Sequence, residues 1–546
     1  MCGIVARSSR TDSTPLFSLP HRGPDQEYRG GHGNLQVVFN RLTITGGDFG
    51  SAPVTSSDGR WTVFLNGEIY NFKELVTIFF LDPSPSDTVV LASGLQKLGF
   101  KIFDYIAGMF SVLIIDNLEK KEFVARDPLG EKPLFYSFHR DEILISSEFR
   151  SLKRYLGGEL NLNPVSISDY FRFGYIEGPK TIDERISEFP RGTLVQIQKD
   201  QISKVKSIPE RRDFDYLHLD LHEIVSHVRS EVMSTEVEYA VMLSGGFDSS
   251  SLIEQAKMKE GYAFTLASGK KVNISEVKRA SRAARAAKLE HLLVSLKERD
   301  LIEGLKGVAE SIDQPHSDMA SLGYYRLFQA MQEFGIKVAV SGIGFDELFW
   351  GYKWFNSHLI SINDNFEGRI FWDTPQKLPK LLDLCAGQRT IQESNPNDPY
   401  LSAQSKYQRA RAEMVHSYLS VNGLGQLDRL SMRFSIEARS PYSDFRLYLW
   451  AQSNSNTSRD FEKKTLKKAL SPSLFSIARW RKKRGFDLGM MEFLNLPLIN
   501  NSVMKDLNCL DERKVLPFNI TSMGRLSTRE RYRLLMLEYW LRGFNY

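Results

Sequence analysis

Residues 241–251, with the sequence VMLSGGFDSSS, combine the side chains best suited to holding a phosphate. The apolar run at 240–243 predicts a buried parallel strand, and the residues from Ser249 onward predict a helix. The glycines between them allow a phosphate to approach the backbone closely, and the free N–H groups at a helix start attract anions. Because Asp248 would repel a phosphate, its presence indicates a Mg²⁺ bridge. The segment lacks the Gly-Lys-Ser/Thr ending of the Walker A loop, and an ordinary strand–turn–helix junction is the alternative interpretation.

A second glycine-containing loop, residues 341–349 with the sequence SGIGFDELF, follows the apolar run at 338–340. Short apolar strands alternate with helical patterns between the two loops, which predicts a doubly wound parallel sheet. Nucleotides bind at the carboxyl ends of the strands in such sheets, and both loops emerge there. We therefore expect Asp248 and Asp346 to face one magnesium pyrophosphate, with two unrelated acidic loops as the alternative.

The amino terminus offers a different chemistry, because Cys2 directly follows the initiator methionine. If Met1 is removed, Cys2 carries both a thiol and an α-amine, whose pKa of about 7.7–8.0 allows it to act as the base for its own side chain. Chance placement of a cysteine is the alternative. Polar clusters separated by short strand patterns follow, which predicts a layered α+β domain. The clusters are His21–Asp25, Arg41–Ile44, Asn66–Asn71, Ser86–Thr88 and Arg126–Leu134.

Length, charge and cysteine content limit the possible classes of protein. A chain of 546 residues is too long for one core, which predicts two to four domains. With 71 basic and 66 acidic residues, the net charge of +5 indicates no particular partner, neither nucleic acid nor a membrane. The sequence has no apolar run near 18 residues and no signal-peptide pattern, so we expect a cytoplasmic protein. The three cysteines fit neither a disulfide framework nor a zinc pattern.

Three groups of segments resemble known families. The loop at 244–250 resembles the S-G-G-x-D-S-S pyrophosphate loop of enzymes that cleave ATP to AMP and pyrophosphate. The amino-terminal clusters resemble, in order and kind, the class II glutamine amidotransferase domain, an N-terminal-nucleophile hydrolase. Segments 428–432 (DRLSM) and 435–441 (SIEARSP) are similar to the D-R-x-S-M and S-x-E-x-R-x-P segments of asparagine synthetases. The resemblance to glutamine-hydrolysing asparagine synthetase covers nearly the whole chain.

This resemblance implies a fold of two domains, one α+β and one α/β. The first, at 1–156, is an N-terminal-nucleophile hydrolase with an αββα sandwich. The second, at 160–546, is an ATP-binding, adenylating domain built on a doubly wound parallel sheet with helical additions. Loop-forming residues at 157–164 mark the boundary. Glu437 and Arg439 lie two residues apart in a predicted helix, on different sides of it, and a structural ion-pair role is as good an interpretation as ligand binding.

The resemblance also implies roles at the amino terminus. Cys2 attacks the glutamine carboxamide, and the Asn66 side chain with the Gly67 N–H forms the oxyanion hole. Arg41 holds the α-carboxylate of glutamine with its guanidinium fork, and two carboxylates take the α-amine. Taken singly, Arg41 is equally a surface charge and Asn66-Gly67 a hairpin turn. The implied glutamine-binding set is Arg41, Leu42, Ile44, Asn66, Gly67, Glu68 and Asp87.

In the second domain the resemblance implies an ATP site with Mg²⁺ bound by Asp248 and Asp346. Lys483, in an R-x-K-x-x-F stretch, neutralises charge on the α-phosphate, although the basic run at 479–484 could also be read as a nucleic-acid patch. The implied substrates are glutamine, ATP and a carboxylic acid such as aspartate, and the resemblance leaves a homodimer open. The implied ATP-binding set is Met242, Leu243, Ser244, Gly245, Gly246, Asp248, Ser249, Ser250, Leu266, Ser341 and Gly342.

The second glycine loop departs from the family pattern at Ile343, Phe345 and Trp350. In the family, the acidic residue replaced by Ile343 helps the nitrogen nucleophile lose its proton, which isoleucine cannot do. We therefore expect either an acceptor acid other than aspartate or a different base. Two further hypotheses are an amide-forming cyclase of the β-lactam or lasso-peptide type and a non-catalytic regulatory relative. Such cyclases typically lose the amidotransferase nucleophile or clamp, which this chain keeps.

Overall fold

The computed structural model describes the parts of the chain that hold both predicted glycine loops and the whole predicted amidotransferase site. The described residues are 1–8, 15–209, 215–254, 261–268, 274–297, 300–351, 405–454 and 527–544. The predicted phosphate-binding lysine, Lys483, lies outside these residues.

The amino-terminal part forms two six-stranded antiparallel sheets. The first has the strand order β10-β8-β9-β1-β3-β2, and the second has the order β12-β11-β7-β6-β5-β4. The strands are β1 (Cys2–Arg7), β2 (Gln26–His32), β3 (Leu35–Arg41), β4 (Val54–Thr55), β5 (Trp61–Ile69), β6 (Gly108–Asp116), β7 (Lys121–Arg126), β8 (Phe135–His139), β9 (Glu142–Ser146), β10 (Ser187–Glu188), β11 (Thr193–Ile197) and β12 (Ile202–Ser207).

Helices cover the outer faces of these sheets. Along β5, Val63 and Leu65 pack against helices, while Phe64 between them packs against the facing sheet. This alternation follows from the two-residue period of a strand, and it explains why β5 is buried along its whole length. The covering helices are α1 (Phe72–Phe79), α2 (Asp87–Leu98) and α3 (Phe149–Leu156), and a fourth helix, α4 (Pro164–Phe173), follows them in the chain. Because α1 and α2 cover the second sheet and α3 covers the first, the predicted αββα sandwich is confirmed.

The sheets extend past the predicted domain boundary at residues 156–160. Strands β10, β11 and β12 all follow that boundary, yet β10 pairs with β8 and β11 pairs with β7. The strand pairing therefore carries the amino-terminal unit to Ser207, which differs from the predicted division at 156. The helix at Pro164–Phe173 instead packs its buried face into the core of the second unit.

The carboxyl-terminal part contains a five-stranded sheet whose neighbouring strands are parallel. Its order is β15-β14-β13-β16-β17. From β13, the next two strands are added on one side and β16 and β17 on the other, so the strand order reverses between β13 and β16. Ligands bind outside the carboxyl ends of the strands at such a reversal. The strands are β13 (Tyr239–Met242), β14 (Tyr262–Ser268), β15 (Glu290–Leu296), β16 (Val338–Val340) and β17 (Glu437–Arg439).

Helices lie on both faces of this sheet, which confirms the doubly wound architecture. In β13, Ala240 and Met242 face one helical layer, and Val241 with the following Leu243 faces the other. A π-helix spans Met414–Gly425. The helices are α5 (Leu221–Val232), α6 (Phe247–Glu254), α7 (Ile274–Ala286), α8 (Leu301–Ser311), α9 (Ser321–Glu333), α10 (Phe345–Leu348), α11 (Lys406–Glu413), α12 (Gln426–Met432), α13 (Phe445–Asn454) and α14 (Thr528–Arg542).

One element was predicted wrongly from the sequence. The segment around Glu437 and Arg439 is strand β17 rather than a helix. Residues two apart on a strand point to the same face, and the two side chains accordingly form an ion pair with 2.6 Å between Arg439 Nε and Glu437 Oε1.

A helix that crosses a membrane must be both long and apolar, and this applies to each helix in the described stretches. None of those helices meets both conditions.

Candidate active site

The predicted nucleophile and its predicted partners meet where the two amino-terminal sheets face each other. Cys2 begins β1 and is directly opposite Arg41 in β3, because the register of this antiparallel pair aligns their Cα atoms. The backbone N–H of Cys2 donates a hydrogen bond of 3.0 Å to Asn66 Oδ1 in β5 of the other sheet. The Asn66 amide group also donates through Nδ2 to Ser111 Oγ, at 3.3 Å. These contacts fix the orientation of the Asn66 amide beside the thiol.

Gly67 occupies a backbone conformation that requires glycine. Its φ angle is +146°, and a Cβ atom there would overlap the carbonyl oxygen of Met109 in β6. The glycine lets β5 and β6 remain paired, with Gly67 opposite Phe110. The backbone at Gly67 is therefore fixed in the lining of the pocket that also contains Cys2.

The charged side chains of the predicted glutamine clamp are buried together. Arg41 is positioned by Nη1 donating to Gln26 Oε1 and by Nη2 donating to the carbonyl of Thr45, both at 3.3 Å. Asp87 begins helix α2, and its Oδ2 accepts a hydrogen bond of 3.0 Å from the N–H of Ile69. Glu68 Oε1 accepts one of 2.7 Å from the hydroxyl of Thr45. A cation and two carboxylates thus converge, as binding of an α-amino acid requires.

One pocket gathers nearly all of the residues predicted for the amidotransferase site. Its empty space, including the mouth, is about 410 Å³. Asn66 is absent from the lining but bonds to the Cys2 backbone beside it. The predicted residues that line the pocket are Cys2, Arg41, Leu42, Ile44, Gly67, Glu68 and Asp87.

Burial dominates the electrostatics of this pocket. It raises the pKa of the Cys2 thiol, although the chain's α-ammonium group and Arg41 oppose the shift. Burial and the nearby Asp87 raise the pKa of Glu68 to about 8, against the attraction of Arg439. Burial also raises the pKa of Asp87. A bound ammonium group would offset this cost, because an opposite charge favours the ionised carboxylates.

The first glycine loop has the strand–turn–helix geometry expected for anion binding. It connects β13 to α6, and Gly245 has a φ angle of +71°, with no room for a Cβ atom beside the carbonyl of Glu276. The loop is closed by serine hydroxyls: the Ser244 N–H donates to Ser249 Oγ at 3.2 Å, and the Gly246 N–H donates to Ser244 Oγ at 3.3 Å. The loop leads directly into the first turn of α6, and free N–H groups at a helix start attract phosphate.

The second glycine loop lies directly against the first. A Cβ atom on Gly342 would come within 3.0 Å of the Ser249 nitrogen and 3.1 Å of the carbonyl carbon of Asp248. The rings of Phe247 and Phe345, which precede the two predicted metal ligands, have centroids 5.8 Å apart. The predicted residues Ser341 and Gly342 are therefore brought together with residues 244–250.

The remaining predicted nucleotide residues lie on the same sheet edge. Met242 ends β13 and Leu243 follows it, and Leu266 lies in β14 opposite Val294. Asp248 and Asp346 lie in the first turns of helices α6 and α10, one next to each loop. Two carboxylates on adjoining loops are the hard oxygen donors that Mg²⁺ prefers, so the residues present fit that ion.

Ile343 packs where the two helical cores of the second unit meet. Its Cγ2 would lie 3.6 Å from a Cβ atom on Gly423, in the π-helix. Nearby, Glu347 Oε2 accepts a hydrogen bond of 3.1 Å from the Gly344 N–H. The bulky side chain at 343 therefore fills space next to the second loop with apolar surface.

A buried ion cluster joining the two units was missed from the sequence. Asp428, in the DRLSM segment, accepts from Arg22 Nη2 at 2.9 Å and from Lys132 Nζ at 3.0 Å. Burial alone would raise the pKa of Asp428, but the two cations outweigh it and hold that pKa at about 2. The contacts join residues nearly 300 or more positions apart, and local patterns carry no signal for such pairs.

Comparison with known proteins defines the class of this chain. A model of the glutamine amidotransferase domain matches residues 1–207, ending where β12 ends, and a model of asparagine synthase matches residues 222–542. The chain belongs to the asparagine synthase family, in its glutamine-hydrolysing, two-domain form.

Curated relatives match over most of their length. Asparagine synthetase [glutamine-hydrolyzing] 1 of Bacillus subtilis (strain 168) is 24% identical, with 90% of this chain and 88% of the relative covered. Asparagine synthetase [glutamine-hydrolyzing] 3 of the same organism is 26% identical, with 88% and 86% covered. Among solved structures, glutamine phosphoribosylpyrophosphate amidotransferase from B. subtilis, complexed with ADP and GMP, has a TM-score of 0.24 at 14% identity and covers 56% of this chain and 67% of that chain.

Proposed function

We propose that this protein is a glutamine-dependent amidotransferase that makes an amide from a carboxylic acid at the expense of ATP. Glutamine and water give glutamate and ammonia at Cys2. The acid and ATP give an acyl-adenylate and pyrophosphate at the two glycine loops. Ammonia then displaces AMP from the acyl carbon. The observation that supports this proposal best is the single pocket holding Cys2, Arg41, Gly67, Glu68 and Asp87.

The thiol needs a base, since burial raises its pKa. After removal of Met1, the α-amine of Cys2 is the nearest base and accepts the thiol proton as sulfur attacks the carboxamide carbon. The developing oxyanion is stabilised by the Gly67 N–H and the Asn66 amide, and one such donor is worth ~10²–10³ in rate. Arg41 and the two carboxylates hold the amino-acid end of glutamine.

At the second site the glycine loops bind the phosphates of ATP through backbone N–H groups and serine hydroxyls. Asp248 and Asp346 would hold Mg²⁺, which neutralises charge on the pyrophosphate leaving group when bound. Lys483 is proposed to neutralise charge on the α-phosphate. We propose that the chain divides after Ser207 and that the synthetase domain begins at about residue 222. We also propose that the protein is cytoplasmic and forms a homodimer.

Ile343 bears on the identity of the acceptor acid. An apolar side chain at this place cannot take a proton from the nitrogen nucleophile, so we propose an acceptor other than aspartate or a base from elsewhere in the site. Pyrophosphate release measured with glutamine, ATP and a panel of carboxylic acids tests this proposal. Efficient and specific formation of asparagine would contradict an altered acceptor.

Replacement of the nucleophile tests the proposed function directly. We expect Cys2→Ala to abolish glutamate formation while leaving product formation from added ammonium chloride intact, because only the first site is lost. Lys483→Ala should stop product formation from either nitrogen source. Glutamate, pyrophosphate and amide product are measured separately. Glutamate formation that persists in Cys2→Ala would refute the proposed role of the thiol, and a wild-type protein without glutaminase activity would indicate a regulatory relative.

A further inference from the structure

Arg439 is a fully buried residue that touches both proposed sites. Its guanidinium group forms a 2.6 Å ion pair with Glu437 through Nε, and its Nη1 donates to the carbonyls of Val232 at 3.0 Å and Ser234 at 2.7 Å. Nη2 points across the domain interface and lies 3.5 Å from Glu68 Oε2. One side chain thus links a carboxylate of the glutamine pocket to the core of the synthetase domain.

The backbone of Arg439 reaches the nucleotide site. Its carbonyl accepts a 2.8 Å hydrogen bond from the N–H of Ser341, the first residue of the second glycine loop. In the parallel pair β16–β17, Arg439 is the register partner of Val340, which directly precedes that loop. Its guanidinium group bonds to the carbonyl of Val232, the last residue of α5, and to that of Ser234, two residues later. Strand β13 follows shortly after and leads to the first glycine loop.

The strength of the contact between Arg439 and Glu68 depends on the charge of Glu68, which a bound glutamine would change. At 3.5 Å it is longer than a good hydrogen bond. Burial and Asp87 raise the pKa of Glu68 to about 8, so much of this carboxyl is protonated at neutral pH. An arriving α-ammonium group favours the ionised form, which strengthens the attraction of Glu68 for the guanidinium.

We propose that Arg439 is a positioning residue that couples occupancy of the glutamine site to the conformation of the second glycine loop, and hence to ATP binding. This inference rests on the proposed function, because it assumes glutamine beside Glu68 and ATP beside Ser341. When Glu68 ionises, it draws the guanidinium of Arg439 towards the pocket. The Arg439 carbonyl, which holds the Ser341 N–H, moves with it.

The experiment compares wild type with Arg439→Met, Arg439→Lys and a matched control, Lys337→Met. Lys337 also forms an ion pair across the interface, 2.8 Å from Asp25, but it is partly exposed and touches neither site. Initial rates of glutamate formation are measured with and without Mg·ATP. Coupling between the binding affinities of two sites is reciprocal and typically amounts to about 5–150-fold.

In wild type and in Lys337→Met, we expect Mg·ATP to change the affinity for glutamine, measured as KM, by about fivefold or more. Arg439→Met should lose this response while keeping a Cys2-dependent basal rate. Arg439→Lys should keep only part of it, because one ammonium group cannot serve Glu437, Glu68 and two carbonyls at once. An Arg439→Met protein with the full response would overturn the proposal, as would a wild-type glutaminase that ignores Mg·ATP. Absence of any Cys2-dependent glutaminase would instead refute the proposed function.

A measurement on the wild-type protein covers the case in which the Arg439 variants do not fold. Hydrogen exchange of a peptide spanning residues 338–344 is followed with and without L-glutamate, the product that fills the first site. We expect slower exchange of the Ser341 amide when glutamate is bound, because its acceptor is the Arg439 carbonyl. Unchanged exchange, with glutamate binding verified by calorimetry, would overturn the inference.

Discussion

At the scale of single residues, the amidotransferase pocket combines groups whose properties depend on one another. The Cys2 thiol, the Arg41 guanidinium and the carboxylates of Glu68 and Asp87 are all buried, so each alters the charge state of its neighbours. Local segments supply these residues, and the resemblance of those segments to the amidotransferase domain implied that the residues share one site. Their coupling to Arg439 could not be predicted from the sequence, since that residue lies more than 300 positions away from them in the chain.

The pKa of Glu68 predicts a pH dependence for glutamine binding. Glu68 faces Asp87 from α2, Arg439 and Glu437 from β17, and the hydroxyl of Thr45. Its pKa of about 8 is raised, so the carboxylate needed for the α-ammonium group is present mainly above that pH. We expect Glu68→Gln to raise the glutamine KM about tenfold or more at pH 8.5, since a hydrogen bond to a charged group contributes roughly 1.5–3 kcal/mol.

The difference between the two proteins should shrink towards pH 6.5, where wild-type Glu68 is itself protonated. KM and kcat for glutamine are measured from pH 6.5 to 8.5 for both. Glu119→Gln, a change at an exposed glutamate of the same unit, serves as the control and should match wild type throughout. A ratio of KM values that is constant over this pH range would contradict ionisation of Glu68 as the cause.

At the scale of elements, strand pairing decides where the site residues lie. The register of β1 against β3 places Cys2 beside Arg41, and β5 brings Asn66 and Gly67 from the other sheet. Strand patterns between the polar clusters predicted a layered α+β domain of this kind. Local patterns failed for β17, because a strand of three residues is too short to show a two-residue period. They also missed that β11 pairs with β7, because contacts between distant strands leave no local pattern.

Substitution of Gly67 tests how strictly β5 must hold its backbone. A Cβ atom there would overlap the carbonyl of Met109, so Gly67→Ala forces β5 and β6 apart beside Cys2 and displaces the oxyanion-binding N–H. We expect glutaminase activity to fall by about 10²–10³-fold, with synthesis from ammonium chloride retained.

Gly59→Ala is the matched control. Its φ angle is also positive, at +75°, but the space around it is open, so it should lose about 1–3 kcal/mol of stability and keep its activity. Equal losses of activity in both variants would assign the effect to general backbone strain.

At the scale of the whole molecule, charged groups buried between the two units hold them in one arrangement. Asp428 lies between Arg22 and Lys132, and all three side chains are at most 1% exposed. Arg22 belongs to the amino-terminal HRGPD cluster and Asp428 to helix α12, so the ion cluster fixes the first unit against the second. Removing one member of a buried ion pair leaves an uncompensated charge, which costs about 3–5 kcal/mol.

We therefore expect Asp428→Asn to lower the free energy of unfolding by about 3–5 kcal/mol, since it leaves two buried cations without their shared anion. Because these contacts join the units, the loss should appear as separate unfolding transitions of the two units in calorimetry, where wild type shows one.

The pKa of Asp428 is held at about 2, below its value in an unfolded chain, so its stabilising effect is present above about pH 4 and is lost as the pH falls towards 2. The difference between the two proteins should accordingly be the same at pH 6 and pH 8. Asp25→Asn provides the comparison, because it breaks the partly exposed pair with Lys337 across the same interface, and such pairs contribute about 0–1 kcal/mol. Similar small losses in the two variants would show that the interface is held by apolar packing instead, with the ion cluster contributing little.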